Sequence, residues 1–94
     1  MLLPPLEGLR GWSEDGKVYL SWKPLEGAVS YEVLSEERGV LDPVARGLKK
    51  TSYVDTQVEV GRRYSYQVHG IDRLGGKSSH SGWVYVTVAG RRER

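Results

Sequence analysis

The chain has 94 residues, of which 38% are hydrophobic and 28% are charged, so it is long enough for one globular domain and too short for two. Its formal net charge of +2 is far from the dense Lys and Arg content of charge-driven nucleic-acid binders, and we predict no nucleic-acid partner. The absence of cysteine excludes disulfides, thiolate metal sites and a cysteine nucleophile.

The first part of the chain alternates between apolar and polar residues, without helical periodicity. Residues 6–11 predict an irregular first strand. Residues 17–23 predict a regular second strand, in which Val18, Leu20 and Trp22 share one face because successive side chains point to opposite sides. We therefore expect these three side chains in the core.

Two further runs of this kind follow in the middle of the chain. Residues 29–34 predict a strand with Tyr31 and Val33 on its core face and Leu34 on the opposite face. Residues 51–54 predict a shorter strand, because three of the four are Thr, Tyr or Val. These runs add one long and one short strand to the predicted sheets.

The last third of the chain has the clearest alternation. Residues 64–69 and 83–88 predict two more strands, both rich in residues that favour β-structure. Their predicted core faces consist of Tyr64, Tyr66, Val68, Val84 and Val86. Short strands separated by turns at intervals of roughly 8–12 residues predict an all-β antiparallel sandwich.

Six motifs between residues 4 and 88 occur in the order and spacing of one known family. They are Pro4-Pro5 with Leu9; Gly16-x-Val18-x-Leu20-Ser21-Trp22-x-Pro24; Ala28-x-Ser30-Tyr31-x-Val33; Thr51-Ser52-Tyr53-x-Asp55; Gly61-x-x-Tyr64-x-Tyr66-x-Val68; and Asp72-x-x-Gly75 followed by Ser78, Ser79 and Ser81. On these motifs the chain closely resembles a fibronectin type III domain in its bacterial form. The resemblance implies an immunoglobulin-like Greek-key β-sandwich of seven strands, with strands A-B-E packed against C′-C-F-G.

The resemblance also implies a structural role for several of these residues. Trp22 becomes the central core residue, and the Tyr64 hydroxyl bonds to the backbone a few residues upstream as a tyrosine corner. Asp55 is placed where its carboxylate can accept backbone N–H groups in the turn after strand E. Gly70 replaces a small alanine that is frequent in the family, and we expect this exchange to leave slack in the core beside strand F.

The expected domain organisation has three parts. Residues 1–5 form a linker, residues 6–89 form the domain, and residues 90–94 form a charged tail. No stretch approaches the roughly 18 apolar residues of a membrane helix, so we predict no transmembrane segment. Residues 62–94 contain 7 basic and 2 acidic side chains, a pattern that suits either a solvated tail or an anionic docking site.

The polar residues of the sequence do not form a recognisable catalytic or metal-binding pattern. The acidic pairs at 14–15 and 36–37 are adjacent in sequence, whereas hydrolytic carboxylates face each other across a cleft. We expect His69 and His80 to be exposed and weakly interacting, because no carboxylate or thiolate is placed to complete a metal site with them. We predict no catalytic residue, no metal and no cofactor.

The outer face of the C′-C-F-G sheet is the candidate interaction surface. Exposed Trp and Tyr are enriched at binding surfaces, because they bury a large area at a low entropic cost. The same side chains also serve as cross-strand partners in an ordinary exposed sheet, and both interpretations stay open. Trp12, near the first turn, is a second and weaker exposed candidate. The predicted surface comprises Leu34, Gln67, His69, Trp83 and Tyr85.

These observations predict a non-catalytic module of a larger bacterial envelope or secreted protein, where it spaces neighbouring domains or contacts a protein partner. One alternative is a carbohydrate-binding accessory module of a polysaccharide-active enzyme, with Trp83 and Tyr85 as a stacking platform. Another is a phage or cell-surface docking module. We expect the isolated chain to be monomeric, and we favour an extracellular or envelope location, although the residues do not fix it.

Overall fold

The structure is a computed structural model that describes residues 3–37, 40–78 and 81–90. The regular secondary structure of these residues consists of β-strands. Within this part of the chain, no helix is long and apolar enough to cross a membrane. The strands are β1 (Arg10–Glu14), β2 (Lys17–Ser21), β3 (Ser30–Glu37), β4 (Val40–Leu48), β5 (Ser52–Asp55), β6 (Arg63–Ile71) and β7 (Val84–Thr87).

The strands form two antiparallel sheets, ordered β1-β2-β5 and β4-β3-β6-β7. We call them the three-stranded and the four-stranded sheet. The arrangement confirms the predicted all-β sandwich, with strands A-B-E in one sheet and C′-C-F-G in the other. Pairing of β2 with β5 and of β3 with β6 joins strands that are not consecutive in sequence, which produces the Greek-key connections.

The first strand begins later than the alternation predicts. Leu6 is only 3% exposed and packs into the core from an irregular segment, and pairing with β2 starts at Arg10. β1 ends in a two-residue turn, in which Asp15 and Gly16 have φ angles of 51° and 77°. Two positive φ angles are typical of a type I′ hairpin, whose twist matches that of the strands it joins.

β4 is the strand that the alternation did not locate. It contains Pro43 and Gly47, two residue types that disfavour the interior of a sheet. β4 is the outermost strand of the four-stranded sheet, where a residue without an N–H is tolerated. Its pairing with β3 shifts register on either side of Val33, which marks a β-bulge or irregularity. The composition of Glu37-Arg38-Gly39 predicts a turn between β3 and β4, and its last two residues lie outside the described residues.

The core lies between the two sheets and is centred on Trp22. The rings of Trp22 and Tyr31 meet edge to face, with centroids 5.6 Å apart and planes at 62°, a favoured geometry for aromatic pairs. Among the residues predicted for the core, Val84 is half-buried and the others are buried. The buried hydrophobic residues are Leu6, Val18, Leu20, Trp22, Tyr31, Val33, Tyr64, Tyr66, Val68, Val86 and Val88.

Two tyrosine hydroxyls tie the turn after β5 to β6. The Tyr64 hydroxyl accepts a hydrogen bond from the amide of Glu59 at 3.0 Å, which is the tyrosine corner that the resemblance implies. The Tyr66 hydroxyl donates to Asp55 Oδ2 at 2.7 Å, and Asp55 Oδ1 accepts from the amide of Gln57 at 3.0 Å. The turn is therefore held from within the core.

The expectation of slack at Gly70 is wrong. A Cβ atom at this position would lie 2.8 Å from Leu25 Cδ2 and 3.0 Å from Ala28 Cβ. The loop between β2 and β3 therefore occupies the space that an alanine side chain needs. Because Gly70 has no side chain, this loop can approach β6 closely.

Candidate interaction surface

The predicted interaction residues lie on three neighbouring strands of the four-stranded sheet or beside them. Leu34 on β3 faces Gln67 on β6 across the antiparallel pair, and His69 lies two residues further along β6. Tyr85 lies on β7 opposite Ser65, and Trp83 directly precedes that strand. The structure therefore places the predicted residues at one sheet. His80 lies outside the described residues.

Their exposure divides the predicted surface into two parts. Trp83 is 40% exposed and Tyr85 is 56% exposed, whereas Gln67 and His69 are buried at 3% and 8%. Leu34 is half-buried. The accessible part of the predicted set is thus an aromatic pair, Trp83 and Tyr85, at the edge of the sheet.

The expectation that His69 is exposed and weakly interacting is wrong. Its Nε2 atom lies 2.9 Å from Oε1 of Glu32, which is the residue of β3 that pairs with His69. Glu32 also accepts a hydrogen bond from Arg46 Nε at 2.9 Å and lies 3.3 Å from Lys77 Nζ. These four side chains form what we call the Glu32 cluster, which joins β3, β4, β6 and the loop after β6.

The Glu32 cluster stabilises a buried charge. Burial by itself raises the pKa of the Glu32 carboxyl group, but hydrogen bonds from His69 and Lys77, together with their charges, lower it further than burial raises it. The pKa of Glu32 is therefore below its ordinary value, and the carboxylate is ionised at neutral pH. Arg46 and Lys77 keep 72% and 57% of their side chains exposed, so the positive charges of the cluster face solvent.

A second cationic group accompanies the aromatic pair. The rings of Trp83 and Tyr85 are stacked, with centroids 6.5 Å apart and planes at 28°. The Arg63 guanidinium lies over the Tyr85 ring, 4.7 Å from its centroid, which is a cation–π contact. The outer face of the four-stranded sheet thus combines exposed aromatic rings with exposed cations.

The two carboxylates that are buried among the described residues, Glu32 and Asp55, are both engaged by neighbouring groups. Asp55 lines a cleft of about 280 Å³ between β4 and β5, but its two oxygens accept hydrogen bonds from the Gln57 amide and the Tyr66 hydroxyl. Glu32 is held by Arg46, His69 and Lys77. In the part of the chain that the structure describes, no group of three or more His, Cys, Asp or Glu residues could hold a metal ion.

The outer face of the three-stranded sheet has an exposed tryptophan of its own. Trp12 is 42% exposed, and its ring is stacked with that of Tyr19 at 5.8 Å between centroids, with planes at 11°. Val54, also 42% exposed, lies opposite Tyr19 on the next strand. Sequence reasoning singled out Trp12 alone, because the register that aligns these three residues is not visible in the alternation.

Comparison with known proteins finds relatives that are far longer than this chain, and no family model matches it. The chain is 34% identical over 82 residues to an amylopullulanase of Thermoanaerobacter thermohydrosulfuricus, which covers 85% of the chain and 6% of the relative. It is 37% identical over 71 residues to an amylopullulanase of Thermoanaerobacterium saccharolyticum, covering 73% of the chain and 6% of the relative. The chain thus spans about 6% of the length of these curated relatives.

Similar solved structures come from bacteria and animals. A Fn3-like protein from Clostridium thermocellum has a TM-score of 0.79 at 24% identity, covering 94% of this chain and 95% of that one. A beta-1,2-glucanase from Parabacteroides distasonis has a TM-score of 0.72 at 23% identity, covering 94% of this chain and 12% of the glucanase. A human fibronectin type III domain has a TM-score of 0.78 at 17% identity, covering 99% of this chain and 79% of that one. At these identities the likeness concerns the fold.

Proposed function

The chain has the fibronectin type III fold, and we propose that it is a non-catalytic module of a larger bacterial carbohydrate-active enzyme, in which it spaces and orients neighbouring domains. The observation that carries this proposal is the unequal coverage of its relatives. One amylopullulanase matches 85% of this chain with 6% of its own length, and a second matches 73% of the chain with 6%. A segment of that size is one module among many. We therefore assign the reaction of such an enzyme to the parts of the polypeptide outside this segment.

The side chains support a non-catalytic role. Glycoside hydrolysis uses two carboxyl groups that flank the scissile bond and are free to exchange protons or attack. The buried carboxylates here, Asp55 and Glu32, are engaged by the fold itself. We therefore propose that residues 6–89 act by contact, with residues 1–5 and 90–94 as the connections to their neighbours.

The contact surface that we propose is the outer face of the four-stranded sheet. Four strands spaced ~4.8 Å apart, with about eight residues at ~3.3 Å each, present roughly 500 Å². An inter-domain interface buries roughly 300–750 Å² per side, so this face has the required size. Its aromatic pair supplies contact area, while Arg46, Arg63 and Lys77 select a neighbouring surface with acidic groups.

The size of the native protein tests whether the chain is a module. An antibody raised against the 94-residue chain should detect, in extracts of the source cells and their medium, a polypeptide far larger than 10.6 kDa. The purified 94-residue chain, run on the same gel, marks the position of a 10.6 kDa species. Detection of a 10.6 kDa species as the sole product would contradict the proposal.

NMR spectra test the proposed contact surface. The amide shifts of the isolated chain are compared with those of the same residues in a segmentally labelled longer polypeptide. Differences should concentrate around Trp83, Tyr85 and Arg63, and Trp83→Ala should reduce them. Unchanged shifts at these residues would contradict a contact there.

A second candidate function uses the same aromatic pair to bind a carbohydrate. The exposure and stacking of Trp83 and Tyr85 favour it, since sugar rings pack against aromatic faces. A titration of the isolated chain with maltoheptaose separates the candidates. Shifts at Trp83 and Tyr85 that are lost in Trp83→Ala would support carbohydrate binding there over a domain contact.

A further inference from the structure

We propose that the outer face of the three-stranded sheet binds a linear glucan chain along a row of three side chains, two of them exposed and the middle one half-buried. The inference rests on the proposed membership in a carbohydrate-active enzyme, and it concerns a different face from the domain contact. The row consists of Trp12, Tyr19 and Val54, which lie opposite one another on β1, β2 and β5. We call it the apolar row.

The apolar row is a preformed surface, in which the Trp12 and Tyr19 rings are stacked on each other. Adjacent strands lie ~4.8 Å apart, so the row is about 10 Å long, close to the length of a disaccharide unit. Its side chains alternate with inward-pointing Val18 and Leu20, which are 0% and 1% exposed. Because the sheet is anchored in the core, the row needs little ordering before a ligand binds, which favours affinity for a small contact area.

Hydrogen-bonding side chains flank the apolar row on both sides. Arg10, Ser21 and Ser52 lie opposite one another on the three strands, two residues away from the row. Glu14 and Lys17 pair across β1 and β2 on the other side. A sugar ring has apolar faces and a rim of hydroxyl groups. An apolar row between two polar rows matches this chemistry, because the rings pack on the row while the hydroxyls reach its flanks.

The charge and the size of this face argue against other partners. The face has two cationic side chains, Arg10 and Lys17, and one anionic side chain, Glu14, and a net charge of about +1 is too small to attract a phosphate polymer strongly. Three strands of about five residues present roughly 240 Å². This area is below the roughly 300–750 Å² per side that an inter-domain interface buries. A neutral chain that contacts a narrow strip is the occupant that fits.

A titration of the 94-residue chain with maltoheptaose, followed by amide NMR shifts, tests the proposal. Saturable shifts should appear on β1, β2 and β5. Trp12→Ala should weaken binding at least about tenfold, as removal of a central aromatic contact does. Trp12→Tyr, which keeps an aromatic ring, should retain most of the affinity. Leu74→Ala is the control at an exposed apolar residue that belongs to neither proposed surface, and it should bind as the unaltered chain does.

Three results would overturn the proposal: no saturable shift, shifts confined to Trp83 and Tyr85, or equal affinity in Trp12→Ala. Thermal unfolding of each variant confirms that a loss of binding is not a loss of fold. Failure here is separable from failure of the module proposal. The polypeptide size in cells decides the latter and does not depend on glucan binding.

Discussion

Glu32 shows how an outward-pointing residue becomes part of the structure. On an exposed sheet face, a carboxylate at this position is expected to be solvated, yet Glu32 is 5% exposed. The side chains of Arg46 and His69, which are 14 and 37 residues away in sequence, converge on it. The alternation shows that Glu32 points outward, but it does not show which side chains cover it.

We expect Glu32→Gln to lower the free energy of unfolding by about 1 to 2 kcal/mol at neutral pH, because it removes charge-assisted hydrogen bonds whose cationic ends are partly solvated. The pKa of Glu32 in the folded chain is below its ordinary value of 4.5. Its contribution is therefore complete above that pH and is lost as the pH falls through the lowered pKa. Urea unfolding at several pH values measures the effect.

The exposed Glu36, on the same strand and the same face, is the matched control for this prediction. Glu36→Gln should leave the free energy of unfolding within about 0.5 kcal/mol of the unaltered chain. A destabilisation by Glu32→Gln that persists undiminished into strong acid would show that lost packing, and not lost charge, is its cause.

Inside the core, the hydroxyl of Tyr66 stabilises a buried carboxylate, that of Asp55, by a hydrogen bond. Tyr66 is 0% exposed, and burial together with the hydrogen bond to Asp55 raises its pKa above the ordinary value of 10. We expect Tyr66→Phe to lower the free energy of unfolding by about 1 to 2 kcal/mol, because it leaves one oxygen of a buried carboxylate without this donor. Urea unfolding at neutral pH measures the loss.

The pH dependence of stability provides a second readout for Tyr66. Above pH 10 the unfolded chain loses the Tyr66 proton and the folded chain keeps it, so stability falls as the pH rises through this range. Tyr66→Phe should make that fall less steep. The exposed Tyr85 is the control, and Tyr85→Phe should leave the free energy of unfolding at neutral pH unchanged. If the free energy of unfolding falls equally steeply with rising pH in Tyr66→Phe and in the unaltered chain, the raised pKa of Tyr66 is contradicted.

At the scale of elements, strands that bury one face are predictable from the sequence and others are not. Apolar and polar residues alternate along β2 and β6 because one face of each strand lies against the core, and this pattern predicts the inward residues. The sequence does not predict that the outward Gln67 and His69 of β6 are buried as well. β4 was not located, because Pro43 and Gly47 interrupt its pattern and an outer strand has a weaker requirement for alternation. The predicted surface residues lie on or beside one sheet, but the burial of His69 depends on a contact with Glu32, 37 residues away in sequence.

The contact between β6 and the loop after β2 gives a prediction at this scale. Gly70→Ala should lower the free energy of unfolding by about 1 kcal/mol, since the added methyl group meets Ala28 Cβ at 3.0 Å and Leu25 Cδ2 at 2.8 Å. Leu25 can rotate away in part, which keeps the cost modest. In Leu25→Ala, the same Gly70→Ala change should cost less. An unchanged or raised free energy of unfolding in Gly70→Ala alone would show that there is room for the methyl group beside β6, and would contradict the close contact.

At the scale of the whole molecule, the two outer faces are separated by the core. Trp12 lies on the three-stranded sheet and Trp83 beside the outer strand of the four-stranded sheet. Packed sheets lie ~10 Å apart, and side chains at that distance with no shared partner affect stability independently. Trp12 contacts Tyr19, whereas Trp83 contacts Tyr85. The sandwich therefore offers two surfaces that can be altered one at a time.

We expect the destabilisations caused by Trp12→Ala and Trp83→Ala to add within about 0.5 kcal/mol in the double variant, as measured by urea unfolding. Each should be modest, because both side chains are about 40% exposed. Binding should separate in the same way: Trp12→Ala should affect glucan binding and leave the domain contact unchanged, and Trp83→Ala should do the reverse. A double variant that departs from additivity by more than 1 kcal/mol, as contacting residues do, would show that the core couples the two faces.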